Sequence, residues 1–290
     1  MLILLGVFIP LVIRPVGEWI LERSSGYTVS ADWVMAGIAL IVLTAIFGVV
    51  LGTGWVTYTA GRVLHRYGRR PGALLAGRQL MADPWSGSRL LAALLAAVVI
   101  GAGVQAYRSG LATQFVADEQ VWQQLDGTYE QDTAFYFNAI NLINVAVGVG
   151  LVLAAAGIMI ALAEGIVTRR RTYSALVATG VPRRTLGEAI AWQTFAPLIP
   201  ATTVALIVGT GLVRTVNSTV TARGGVCSGA ECADEASASW RNASVTLDVP
   251  IPFAELVVLG AGAVVVMALV AGVGMLTLRS STDLEELRVG

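Results

Sequence analysis

The sequence predicts an all-α polytopic membrane protein of about six transmembrane helices, and three observations carry that reading. Of its 290 residues, 56% are hydrophobic and only 13% are charged, roughly half the charge of an average soluble domain. Apolar runs recur at lengths near the roughly 20 residues that a helix needs to cross a bilayer core. The charge between those runs alternates from basic to acidic, as it does when successive loops lie on opposite sides of a membrane.

Six stretches form the spans: Met1–Leu21, Trp33–Tyr58, Leu90–Tyr107, Phe137–Ala163, Ala191–Val213 and Phe253–Leu278. The first is interrupted by Arg14. With no basic start and no small-residue cleavage site it reads as a true span rather than a signal peptide, Arg14 snorkelling to the outer surface. The segment Gly61–Arg89 carries Arg62, Arg66, Arg69, Arg70, Arg78 and Arg89 against Asp83, and Glu164–Gln193 carries five arginines against Glu164 and Glu188. Ser109–Tyr136 has no arginine and holds Asp118, Glu119, Asp126, Glu130 and Asp132. The positive-inside rule then makes the first two cytosolic and the third external, with both termini cytosolic in a cell membrane.

Within the first basic segment, PGALLAGRQLMADPWSGSRLL reads as an amphipathic surface helix from Pro71 that ends near Asp83-Pro84 and leads into the third span. In the span from Phe137, Asn138, Asn141 and Asn144 recur at intervals of three, near one face, and read as helix-packing groups rather than a vestibule. Pro197 and Pro200 are expected to kink the fifth span, and Gly260, Gly262, Gly272 and Gly274 to pack the sixth closely. The second external segment, Arg214–Pro252, is rich in Ser, Ala, Thr and Gly and contains both cysteines, Cys227 and Cys232, in CSGAEC. On the oxidising side of a membrane that spacing points to a disulfide closing a small loop.

Several classes of chemistry are disfavoured. A single histidine, His65, argues against an imidazole-based active site or metal centre, and a net charge of zero gives no field for nucleic acid. Every one of the 19 basic residues is arginine, a bias that reads as a GC-rich genome. No ionisable pair lies at a bilayer midplane, which argues against a proton-relay carrier. GxxxxGK[ST] is absent, so ATP chemistry would have to reside in another chain.

The most informative stretch is Arg169–Gln193, RRRTYSALVATGVPRRTLGEAIAWQ. Tyr173, Leu176 and Val177 share one face of a short helix, Gly180 stands where a left-handed cap belongs, and Pro182 suits the first turn of a new helix. A short amphipathic helix turned back into the bilayer is a shape for docking a soluble partner.

Pro71–Gly290 resembles the FtsX-like permease domain of ABC transporters, the group that includes MacB-type and LolC-type permeases. The resemblance rests on ALLAGRQLMADPWSGSRLLAALLAAVVIGAGV, on RRRTYSALVATGVPRRTLGEAIAWQTFAPLIPATTVALIVGTG, on the last span and on the tail RSSTDLEELRVG. It divides the chain into residues 1–70, two extra spans and a linker, and residues 71–290, a four-span unit. The resemblance implies that a coupling helix at about residues 168–180 docks on a separate ABC ATPase, which works as a dimer and binds ATP-Mg. Tyr173, Leu176 and Val177 would form its docking face, Gly180 its turn, and Arg183 and Arg184 its basic flank. A second permease unit, a homodimer partner or a front-half permease, and membrane lipid would complete the assembly, with no cofactor in this chain and no nucleic acid. The chain departs from MacB-type and LolC-type members in its short Ser109–Tyr136 interval, too short for a folded domain. It reads as the linker and second unit of a ten-span permease, or as a six-span form. The expected output is export or extraction of an amphiphilic or peptide substrate, or mechanotransmission. The alternative is a signalling protein that drives an extracytoplasmic partner such as a cell-wall hydrolase.

Overall fold

The computed structural model describes residues 31–82, 84–127, 132–168, 183–227 and 240–281. Most of these are helical, and five helices are long and apolar enough to cross a membrane, as a polytopic α-helical membrane protein requires. The first expected span, Met1–Leu21, lies outside the described residues.

Helix α1 (Ala31–Tyr67) ends where the Gly68 amide donates to the Leu64 carbonyl at 2.8 Å. Pro71 opens α2 (Pro71–Ala82), a position that needs no N–H donor. Helix α2 buries Gly72, Ala73, Ala76, Gly77 and Leu80, a narrow stripe of mostly small residues. Their size lets α2 lie directly on α1: a Cβ at Gly77 would stand 2.9 Å from the Gly61 carbonyl and 3.0 Å from the His65 amide nitrogen.

Helix α3 (Pro84–Gln124) is the central post of the bundle. It buries Leu91, Leu94, Leu95, Val98, Val99, Ala102 and Ala106, an i, i+3, i+4 recurrence that keeps one face inward for over four turns. That face meets Ala45 and Val49 of α1, Ala154 and Ile158 of α4 (Ala134–Thr168), Leu198, Ala201 and Ala205 of α5 (Arg183–Val216), and Met267 of α6 (Phe253–Ser281). At 1.5 Å per residue α3 is about 60 Å long, twice the thickness of a hydrocarbon core, so its last turns, which carry Ala117 and Val121, reach beyond such a core. It stops in a Schellman cap. Asp126 takes a left-handed φ of 55°, its amide donates to Gln123 O, and the Gly127 amide donates to Trp122 O at 2.9 Å.

The bundle is least closed around α4. Leu142, Val145, Val152, Leu153 and Ile160 all point outward, the arrangement expected of a helix whose surroundings are acyl chains. Helix α5 continues through Pro197 and Pro200, which sit inside it. The hydroxyls of Thr202 and Thr203 donate to the Leu198 and Ile199 carbonyls, a pattern that bends helices gently.

Two segments read as external loops are ordered differently. Most of Ser109–Tyr136 is the upper half of α3, whose Ala, Gln, Glu and Val residues sustain a helix once one face is covered. The cover is the second surprise. Arg214–Pro252 contains an antiparallel hairpin, β1 (Thr219–Cys227) and β2 (Trp240–Asp248), in register from Thr219 opposite Asp248 to Cys227 opposite Trp240. Ala222 packs into Ala117 and Val121 of α3 and Leu125 just past its end, with Val220, Val226, Ala243, Val245 and Leu247 around them. The period-2 alternation of small and apolar residues in both strands is the strand signal that the Ser/Thr/Gly composition masked.

The glycine expectation also changes. Gly260 lies against α5, where a Cβ would meet Leu206 Cδ1 at 3.1 Å, but Gly262 and Gly272 face open space. Residues two apart project on opposite sides of a helix, so only one of Gly260 and Gly262 can face a neighbour. Gly274 lies outside the described side chains. The tightest crossing of the spans is at Gly209 of α5, where a Cβ would run into the carbonyl of Val99 and lie 2.9 Å from Ala102 Cβ.

Candidate coupling surface and its connection to the hairpin

The docking residues expected from the sequence precede α5 in the chain or open it. Tyr173, Leu176, Val177 and Gly180 lie outside the described residues. Arg183 and Arg184 are the first two residues of α5, and their side chains also lie outside the description. What is described is the seat into which that segment feeds. Glu188 lies 3.9 Å from the Arg70 guanidinium, Ala189 is buried, and the Gln193 amide donates to Gln79 Oε1 at 2.6 Å. Helix α2 is thereby fastened to α5 on one side and to α1 on the other. Sequence reasoning found α2 as a surface helix but not as a brace, because its small-residue stripe carries little hydrophobic contrast.

The surface at this end is basic and aromatic. Arg66 sits over the ring of Tyr67, 5.9 Å from its centroid. Tyr67 and Trp192, both exposed, edge a shallow depression with Val63, Arg69 and Arg70. Exposed rings beside arginines are the residues that settle at a membrane–water interface. Arg70 and Glu188 are exposed enough that their pairing contributes little energy, and its use is in orientation.

Helix α5 carries the connection to the other end. Its 34 residues run without interruption from Arg183 to Val216 and lead directly into β1. At the top the Arg214 guanidinium donates to the Val249 carbonyl at 2.9 Å, the Val249 amide donates to Ser218 O, and Ser109 Oγ donates to the Pro250 carbonyl at 2.7 Å. The hairpin's return at Val249–Pro250 is therefore stapled to both α5 and α3, while its other root continues directly from α5. Its far end is held by Arg241, which donates to the Gln124 carbonyl at 3.0 Å and pairs with Asp126 at 3.3 Å. Cys227 is disulfide-bonded. Cys232, the chain's other cysteine, lies outside the described residues.

Of the three asparagines, Asn144 accepts from Gln105 Nε2 at 3.0 Å, across to α3, while Asn138 and Asn141 are exposed. Among the described residues no three His, Cys, Asp or Glu side chains group to hold a metal. Helix α5 is a continuous link between a basic foot and a stapled hairpin.

Residues 144–282 match the family model FtsX-like permease C-terminal. The match begins inside α4 and takes in α5, the hairpin and α6, leaving α1, α2 and α3 outside it. Neither a curated protein nor a solved structure matches the chain.

Proposed function

We propose that this chain, whose residues 144–282 match the FtsX-like permease C-terminal family, is the membrane permease component of an ABC-type system and converts ATP hydrolysis in a separate ATPase dimer into movement of its hairpin end. In this reading the arginine-rich foot is cytosolic, as the positive-inside rule assigns it. The ATPase docks on Tyr173, Leu176 and Val177, with Gly180 as the turn and Arg183 and Arg184 at its basic edge. ATP-Mg binds in that partner. The output is export or extraction of an amphiphilic or peptide substrate, with a second permease unit completing the assembly.

One observation carries the proposal. A single helix, α5, follows the docking segment in the chain and leads into β1, with Arg214 near its end bonded to the hairpin's return at Val249. In this reading a displacement at its foot is passed along its length, through the turns that hold Pro197 and Pro200, and through Gln79 it reaches α2 as well. The test is purification of the tagged full-length chain from its native membranes, read by vanadate-sensitive ATP hydrolysis of the preparation. The double variant Tyr173→Arg, Leu176→Arg should lose that activity while the chain still inserts and unfolds at the same temperature. ATPase retained by the variant would sink the docking assignment.

The exposed Trp240 at the hairpin's far end supports a second reading, in which the moving end drives an extracytoplasmic protein such as a cell-wall hydrolase. A photocrosslinker at position 240 that captures such a protein, in a strain whose deletion has no transport defect, would favour it.

A further inference from the structure

At the hairpin end α3, α4 and α6 do not close on one another. They leave a cleft of about 340 Å³ whose polar groups are Gln105 and Arg108 of α3, Asn144 of α4 and Glu255 of α6. Its remaining walls are aliphatic, with Leu151 on α4 and Val258 on α6. Arg108 is one helical turn above Gln105, so the two share a face. Glu255 is in the first turn of α6, at the same end of the bundle.

Three groups in this cleft are unmatched. Gln105 gives its Nε2 to Asn144, but its Oε1 is buried with no hydrogen-bond partner, a costly state for a carbonyl oxygen. Arg108 and Glu255 line the same cleft, yet neither is in an ion pair among the described residues. Charges at the edge of a bilayer core are costly to leave unmatched and mark ligand positions. The cleft thus offers one cation, one anion and one free acceptor above an aliphatic floor.

We propose that this cleft binds the headgroup of a zwitterionic phospholipid. The phosphate meets Arg108, the ammonium lies between Glu255 and Gln105 Oε1, and the acyl chains run down the flank of α4 past Leu151. A peptide fits the cleft less well, because a backbone brings many donors and acceptors and only four polar side chains are there to meet them. No aromatic ring lines the walls, and Val258, 72% exposed, leaves the flank open to the bilayer. Lipid can therefore enter sideways without crossing water. The site rests on the membrane setting of the spans and not on where the ATPase docks.

The full-length chain purified in dodecyl maltoside tests this by titration with dioctanoyl phosphatidylethanolamine, dioctanoyl phosphatidylglycerol and free phosphoethanolamine. Binding is read by the unfolding midpoint and by native mass spectrometry. Phosphatidylethanolamine should bind about tenfold more tightly than phosphatidylglycerol, the effect of one hydrogen bond to a charged group, and the chain-free headgroup should bind more weakly still. Glu255→Gln should erase the preference between the two lipids, and Arg108→Gln should weaken both. Gly148→Leu should fold, since a Cβ there meets nothing within 4 Å, and should block the cleft. Equal affinity for the two lipids in the unaltered chain overturns the proposal. So does a preference that survives in Glu255→Gln, binding unchanged in Gly148→Leu, or tight binding of the free headgroup.

Discussion

Replacing Gly209 by alanine should loosen the joint between α3 and α5. A Cβ at that position collides with a backbone atom, the Val99 carbonyl, and crowds Ala102 Cβ at 2.9 Å. No rotamer change relieves a clash with backbone, so the two helices must separate along the core that holds Leu94, Val98, Leu198 and Ala205. Overpacking of a tight core costs about 1–3 kcal/mol, whereas alanine gains up to about 1 kcal/mol over glycine in helix propensity. The first effect wins by on the order of 1–2 kcal/mol, which lowers the unfolding midpoint of a chain this size by about 2–8 °C. Gly211→Ala is the matched control, on the same helix with nothing within 4 Å of its Cβ, and should raise the midpoint by about 2–4 °C through propensity alone. Both are read by intrinsic fluorescence during heating in one detergent. Two shifts of the same sign would refute the reasoning, because the variants share chemistry and helix and differ only in what the methyl group meets.

Leu94 is fully buried in the central post, so Leu94→Ala should cost about 2–4 kcal/mol and shift the midpoint more than either glycine variant. Arg241→Ala removes an exposed ion pair and one bond to a helix-end carbonyl; global stability should fall by less than about 1 kcal/mol, while amide exchange in β1 and β2 accelerates. Equal acceleration in α6 would show that the hairpin is not separately anchored. Cys227→Ser frees the remaining cysteine, so a membrane-impermeant maleimide should label the variant in intact cells and leave the unreduced parent unlabelled. Labelling only after permeabilisation would reverse the orientation assigned to the hairpin.

The apolar runs were legible because a membrane span is written in length and hydropathy, and α1, α3, α4, α5 and α6 all contain one. The Pro71 start and the stop before Pro84 were legible because proline fixes φ and lacks a donor, whatever the tertiary setting. Packing was less so. Gly77 sits singly and Gly209 shares its spacing with Gly211, and only the approach of another backbone gives them meaning, whereas the paired glycines of the last span attracted attention without touching much. The upper half of α3 and the hairpin hid each other. Neither is apolar enough to announce itself, and each becomes stable by covering the other. The cleft was missed for a related reason: Arg108 and Glu255 are 147 positions apart, and Asn144 seemed one of three equal asparagines until Gln105 singled it out.

The length of α3 has a consequence for any insertion or deletion above the membrane. Each residue added to its upper half raises the hairpin's seat on α3 by about 1.5 Å and also turns it by about 100° around the helix axis. Height and compass bearing cannot be changed independently. One extra residue would swing Val121 and Leu125 away from the strands while the roots stayed pinned at Ser109 and Arg214. Seven, close to two whole turns, would restore the bearing about 10 Å farther out. The reach of this protein beyond the bilayer is therefore graduated in helical turns, a ruler with few permitted marks.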